Sequence, residues 1–264
     1  MLVLALLLSA KAFGSYDANL VAWYTFDDNE PNTTVINRVD GVNGIAVRDS
    51  CDMHVMGKVG GALEFDGISD RIEIPHDESM NVGTGDFSIC LWADKFDGRN
   101  GNGTFYEKGP EEPIYTLQLH DHEIELMFDD EIEKVIITTP VPANGWHFIC
   151  ATADRDGFGR IYIDGVIVVE ESITTGQSSL DSDANPYIGT GEEIWYQGSL
   201  DNFMIFNKAL TPFEVFCLYL TSSAGFDGFL TVPDAANVKA GEQYGYDKNF
   251  TGTNKGNKRR LRLW

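Results

Sequence analysis

The chain has 264 residues, of which 43% are hydrophobic and 12% aromatic, enough for one large domain and a tail, or for two small domains. Its formal net charge is −22, and residues up to Ser222 hold 12 Lys and Arg against 37 Asp and Glu, the remainder 7 against 4. So acidic a surface repels nucleic acid and anionic membrane and attracts divalent cations wherever loop carboxylates converge.

Leu2 to Leu8 is a continuous apolar run, and Ala10-Lys11-Ala12 fits the small-x-small pattern of a signal-cleavage site. The run is too short to span a bilayer, and no Lys or Arg precedes it. Residues 1–18 therefore read equally as a signal-like segment or as an apolar strand for assembly with a neighbouring chain. From there, apolar alternation with a period near two predicts a succession of strands. They are Leu20–Phe26, Ala62–Phe65, Arg71–Ile74, Phe87–Ala93, Thr104–Lys108, Ile114–Leu119 and Glu123–Phe128 in the first half. Val135–Thr138, Trp146–Ala153, Arg160–Ile163, Val166–Glu170, Tyr187–Ile188 and Tyr196–Asn207 follow. Asp66-Gly67, Asp97-Gly98, Asn144-Gly145, Asp156-Gly157 and Asp164-Gly165 offer the positive φ that tight β connections need.

One helix is predicted. Thr211-Pro212-Phe213-Glu214 places Thr at the N-cap, Pro at N1 and Glu at N3, a capping box, ahead of about two apolar turns ending near Leu220. Many strands and one short helix indicate an all-β, two-sheet antiparallel sandwich over residues 19–221. From residue 222 to 264 the chain is polar, Gly-rich and finally basic, read as a linker (Ser222-Ser223-Ala224-Gly225) and an extended tail. Cys51, Cys90, Cys150 and Cys217 lack the spacing of a zinc site. Cys90 and Cys150 fall inside apolar strand patterns and read as small buried hydrophobes, while Cys51 and Cys217 could pair in an oxidising compartment.

Leu20-Val21-Ala22-Trp23-Tyr24-Thr25-Phe26-Asp27, Gly61-Ala62-Leu63-Glu64-Phe65-Asp66-Gly67 and Asp86-Phe87-Ser88-Ile89-Cys90-Leu91-Trp92 resemble successive blocks of the laminin-G-like, concanavalin A-like jelly-roll domains. Gly159-Arg160-Ile161-Tyr162-Ile163-Asp164-Gly165 and the closing strand Gly198 to Leu210 are similar to later blocks, in the family's order. The resemblance covers about three-quarters of the chain. It implies a jelly roll of a mostly non-catalytic family that binds glycans, proteins or surfaces and is often stabilised by calcium. Val232 to Gly241, with Tyr244-Gly245 and Phe250-Thr251-Gly252-Thr253, resembles a short repeat at the ends of bacteriophage structural proteins, which implies a virion surface.

In such jelly rolls the first and last strands are antiparallel neighbours, which implies that Asp27 and Asp28 lie near Asp201, a set suited to calcium. The alternative is that Asp27 and Asp28 are solvent-facing turn residues and Asp201 binds local amides. Laminarinase-type glycosidases share the sandwich, and Asp121, Glu123 and Glu125 place three acids on one face of a strand. Their order differs from that family's motif, and Ile124, Leu126 and Phe128 read as interrupting the alternation, so a charged outer strand or its hairpin is the expectation. Trp195, Tyr196 and Tyr106, with Phe105 and Tyr115, flank predicted loops where an exposed ring stacks on a sugar. Trp23, Trp92 and Trp146 are assigned to the core. The five His are scattered with no nucleophile signature, and the basic end around Lys258-Arg259-Arg260 is a solvated tail or a dock for an acidic surface.

The expectation is a non-catalytic binding or adhesion module at an extracellular or virion surface. It recognises surface glycan or protein without nucleic acid, and its N-terminal segment and tail serve a homo-oligomer or virion assembly such as a capsid decoration or fibre. The alternative is a secreted laminarinase-type glycoside hydrolase.

Overall fold

A computed structural model describes residues 18–223 apart from 40, 110–113 and 192–193. The expectations placed on residues 1–17 and 224–264, the phage-like repeat and the basic end among them, lie outside these. The strands are β1 (Leu20–Tyr24), β2 (Thr34–Val35), β3 (Gly44–Ala46), β4 (His54–Met56), β5 (Gly61–Asp66), β6 (Ile72–Glu73), β7 (Phe87–Ala93), β8 (Gly103–Lys108) and β9 (Ile114–His120). Then follow β10 (Glu123–Asp129), β11 (Lys134–Pro140), β12 (His147–Ala153), β13 (Phe158–Ile163), β14 (Val166–Ser172), β15 (Tyr187–Ile188), β16 (Thr190–Gly191), β17 (Ile194–Trp195), β18 (Gln197–Phe206) and helix α1 (Pro212–Ser223).

Two antiparallel sheets form the sandwich. The first runs β14-β13-β12-β7-β18-β5-β4, with β1 also on β18; the second runs β11-β10-β9-β8-β15-β6-β3-β2. The inner faces supply the main core, with Tyr24, Phe26, Phe65, Phe87, Phe105, Leu117, Leu126, Phe128, Ile149 and Phe203 among its members. Ile124, Leu126 and Phe128 are all buried there, so the alternation of β10 continues through them and is not interrupted. Every residue of β7 is buried, which reflects a second core on the outer face of the first sheet. There Trp23, Cys90, Trp92, Phe148, Cys150 and Tyr162 meet Val215 and Leu218 of α1. Trp92 and Trp23 thus sit under or beside the helix, with Trp92 Nε1 donating to Ser222 Oγ at 3.0 Å and Trp23 Nε1 to Asn202 Oδ1 at 3.0 Å. Trp146 is only partly buried, against the same cluster.

The capping box is present: Glu214 N donates to Thr211 Oγ1 at 3.3 Å, and Thr211 N to Glu214 Oε2 at 2.7 Å. The helix runs to Ser223, so Ser222 and Ser223 belong to its last turn and not to a linker. Among the Gly turns, Gly67, Gly145 and Gly165 have positive φ, whereas Gly98 and Gly157 do not. Gly157 is needed for space instead, since a Cβ there meets Asp154 Oδ2 at 2.6 Å.

The cysteine expectation is corrected. Cys90 and Cys150 are bonded to each other, and Cys51 and Cys217 are free. The reason is register: β7 and β12 pair antiparallel with Cys90 directly opposite Cys150, an arrangement that spacing along the chain does not reveal.

Candidate functional site

Three groups of residues bear on function. The first lies where the opening strand meets the closing one. β1 and β18 pair antiparallel, with Tyr24 opposite Phe203, which brings Asp27 and Asp201 to the same turn, Gly57 to Gly61. Asp27 Oδ1 accepts from Gly61 N at 2.7 Å, and Asp201 Oδ2 from Val59 N at 2.8 Å. The turn must be glycine-rich to fit between them. A Cβ on Gly60, whose φ is +69°, stands 2.4 Å from Asp27 Oδ1, and one on Gly57 stands 2.7 Å from Asp201 Oδ2. Asp201 is fully buried, and desolvation, with the Asp27 charge adding to it, raises its carboxyl to about 7. Asp28 points elsewhere. Its Oδ1 accepts from Ile36 N at 3.2 Å, its Oδ2 is buried without a hydrogen-bond partner, and burial raises its pKa. Phe26 and Asn202, which precede Asp27 and follow Asp201, both have positive φ, 58° and 50°, a conformation that costs energy for side chains other than glycine.

The second group is the expected aromatic platform, and it is largely corrected. Tyr196 and Tyr106 are both fully buried. The Tyr196 ring lies 5.1 Å from Phe105 and 6.2 Å from Phe65, and its hydroxyl donates to Lys95 O at 3.2 Å. Tyr106 lies 5.4 Å from Phe203, and its hydroxyl is 3.1 Å from that of Tyr115. Tyr196, just ahead of β18, turns inward to pack on Phe105 and Phe65. For Tyr106 the cause is an irregularity in β8, where the register with β9 shifts between Thr104 and Tyr106. A bulge of this kind lets consecutive residues face one side, and Phe105 and Tyr106 both enter the main core. Phe105 and Tyr115 are buried too. Trp195 alone of the three chosen rings is partly exposed.

Trp195 has neighbours that sequence reasoning missed. The Arg71 guanidinium lies 5.8 Å from the centre of its ring. Arg71 precedes β6 by one residue and shares a face with Glu73, two residues on. Tyr187 is the register partner of Glu73. Ile72 and Ile188, between and beside them, point into the core, so Arg71, Glu73 and Tyr187 all face outward, each partly exposed. Asn185 Nδ2 donates to Glu73 Oε1 at 2.6 Å and fixes it. The guanidinium, carboxylate and phenol thus share the outer surface of the second sheet, and the partly exposed indole, on the separate two-stranded β16-β17 sheet, meets them through Arg71. Their only sequence signal was the alternation of Arg71-Ile72-Glu73.

The third group is the acid strand. Asp121 and His122 form the turn between β9 and β10, with φ of 49° and 66°, so Asp121 does not join Glu123 and Glu125 on one strand face. Glu125 is 6% exposed. Its Oε1 accepts from Gln118 Nε2 at 2.7 Å and its Oε2 lies 3.6 Å from His120 Nδ1.

Comparison with known proteins follows from this architecture. Residues 66–216 match the family model Laminin_G_3, concanavalin A-like lectin/glucanases superfamily, and curated proteins give no match. Among solved structures, the binding domain of Paraclostridial Mosquitocidal Protein 1 is 17% identical with a TM-score of 0.58, over 76% of this chain and 52% of that one. The botulinum neurotoxin serotype D ligand-binding domain, solved with N-acetylneuraminic acid, is 15% identical with a TM-score of 0.59, over 76% and 50%. Domain 4 of AbnA, an extracellular GH43 arabinanase from Geobacillus stearothermophilus solved with arabinotriose, is 19% identical with a TM-score of 0.56, over 77% and 100%. The chain spans about half the length of the two toxin domains. No helix among the described residues is long and apolar enough to cross a membrane. Two antiparallel sheets with β1 closed against β18, and a family match across more than half the sequence, lead to one assignment: the chain belongs to the concanavalin A-like lectin/glucanases superfamily.

Proposed function

We propose that the protein is a non-catalytic binding module for glycan or protein ligands in an extracellular setting. The observation that carries this reading is the outward cluster of Trp195, Arg71, Glu73 and Tyr187. Aromatic faces stack on sugar rings, while fixed charged groups orient hydroxyls. Two fold neighbours with sugars bound, N-acetylneuraminic acid in one and arabinotriose in the other, support a glycan as the first ligand class to test. The disulfide between Cys90 and Cys150 supports an oxidising compartment. Glycan-array screening of the full chain tests the proposal: selective retention that Trp195→Ala abolishes supports it, and indifference of all retention to that substitution rejects it. Display on a virion, as a decoration or fibre protein, is the finer form of the same reading, and copurification of the chain with particles tests it.

The second reading is a glycoside hydrolase that uses Glu123 and Glu125, since residues two apart on β10 face the same way. The hydrogen bond from Gln118 and the near-complete burial of Glu125 favour a structural role instead. Release of reducing sugar from β-glucans, lost in Glu125→Gln, would establish the hydrolase.

A structural calcium at Asp27 and Asp201 is part of the proposal. A fully buried carboxylate beside a second one offers the hard oxygens such a cation takes, in competition with the Val59, Gly61 and Asn202 N–H groups that these carboxylates accept from. Asp28 is turned towards Ile36, so its place in that set is the weakest. Bound calcium would neutralise the two carboxylates and fix the Gly57–Gly61 turn between the sandwich's first and last strands.

A further inference from the structure

We propose that His76, Glu78 and Asp183 form a second cation site, of a chemistry suited to zinc and similar transition ions. It is separate from Asp27 and Asp201 and does not depend on the glycan reading. Each residue offers one ligand atom, and the three atoms lie within 4.8 Å of one another. His76 Nε2 stands 3.7 Å from Glu78 Oε1. Around a tetrahedral zinc with bonds of about 2.0–2.2 Å, donor atoms sit roughly 3.3–3.6 Å apart, so the trio closes on an ion with side-chain adjustments of about an ångström. Glu78 is exposed, its Oε2 accepting from Asn81 Nδ2 at 3.1 Å while its Oε1 faces the imidazole.

The imidazole is the informative member. Its Nδ1 is a buried polar atom without a hydrogen-bond partner, and Nε2 is too far from Glu78 for a hydrogen bond. It is Nε2, on the partly exposed side of the ring, that faces Glu78 without a hydrogen bond and offers its lone pair to an ion. A ring nitrogen with two carboxylates selects for transition ions over calcium, which takes oxygen donors.

The two loops that carry the site are tied to each other. Asn185 Oδ1 accepts from His76 N at 2.8 Å, and Asn81 Oδ1 accepts from Ser182 N at 3.2 Å. Glu78 lies in a short 3-10 turn capped by Asp77, whose side chain accepts from Ser79 N. Asp183 is bracketed by the carbonyls of Ser182 and Ala184, both held by the Lys108 ammonium at 2.6 and 3.3 Å. That ammonium opposes a cation and already interacts with Asp183 and Glu78 as well as Asp181, so an ion at the site competes with Lys108 for the same carboxylates. Three protein donors leave a fourth position for water or an anionic ligand group.

The experiment titrates the full, metal-stripped chain with zinc chloride by calorimetry, in excess calcium so that an oxygen-only site is already occupied. One equivalent of zinc is expected, with affinity reduced at least ~10-fold by His76→Gln and by Asp183→Asn, and circular dichroism unchanged in both. Protection of His76 from diethylpyrocarbonate by zinc, read by peptide mass in the unaltered chain, checks the site without any substitution. Absence of saturable zinc binding, binding that both variants retain, or modification of His76 unaffected by zinc would each overturn the assignment.

Discussion

Residues 173–186 connect β14 to β15 without a strand of their own, and Arg155 anchors their first part. Arg155 is 1% exposed. It donates to Gly83 O at 2.9 Å and to Ser178 O at 2.7 Å, and also reaches Gly176 O. Its guanidinium stacks 5.4 Å from the centre of the Phe128 ring and stands 3.9 Å from the Asp130 carboxylate. Replacing it by Met keeps much of the volume but removes a charged donor from three carbonyls and leaves Asp130 without its cation. Breaking a buried charge pair by deleting one partner costs about 3–5 kcal/mol. The lost hydrogen bonds overlap with that figure and are not added to it. Arg155→Met should therefore lose about 3–5 kcal/mol, read as a fall of roughly 1–3 M in the urea midpoint, followed by tryptophan fluorescence. Arg155→Lys should recover only part of the loss, since a single ammonium cannot span both loops. A loss below about 1 kcal/mol for Arg155→Met would refute the view that this residue organises the connection.

The Asp201 carboxyl, raised to about 7 in the fold from about 3.8 unfolded, binds its proton more tightly when folded. Its contribution is thus fully present below about pH 4 and lost as pH rises through 7, a drop of up to about 4 kcal/mol. In chelator, the melting temperature should fall between about pH 4 and pH 7; calcium or Asp201→Asn should flatten that profile, and a chelator profile already flat rejects the argument. Trp195→Ala should leave the melting temperature within about 1–2 °C of the parent while removing ligand binding, whereas Tyr196→Ala should cost about 3–5 kcal/mol because its ring is core; thermal melts of both variants decide. Alkylation in denaturant without reductant should label two of the four cysteines, Cys51 and Cys217, and mass spectrometry showing four labels would contradict the bond between β7 and β12.

Sequence periodicity reached the long strands because alternate burial leaves a mark over five or more residues. β9 and β10 were legible for that reason, and so was α1, whose capping box names its own first turn. Of the two- and three-residue strands, β6 and β15 fell within predicted segments, whereas β2, β3, β4, β16 and β17 are too short to show a period and had no longer alternation around them. β7 was legible as a strand but not as one buried on both faces, because what covers it is the helix more than a hundred residues later. The meeting of Asp27 with Asp201 could be read from the family resemblance, since it follows from first-to-last strand pairing. The burial of Tyr106 could not, because a one-residue irregularity in β8 decides which way the ring turns. Arg71, Glu73 and Tyr187 escaped notice for a similar reason: their common face comes from pairing β6 with β15, distant segments whose individual patterns are only two residues long.

The antiparallel closure of β1 on β18 also governs how the module bears force. Leu20 is paired with Phe206 and Asn207 N donates to Asn19 O at 2.9 Å, so the chain enters and leaves the first sheet at the same corner. A load pulling those two points apart opens the ladder one hydrogen bond at a time, as a zip opens, and does not shear all the bonds together. Helix α1 lies in the path of that load on the C-terminal side and would have to detach from Trp92 and Phe148 first. A tether joined at this corner therefore yields stepwise, and the sheets that carry Trp195 and Arg71 stay folded while it does.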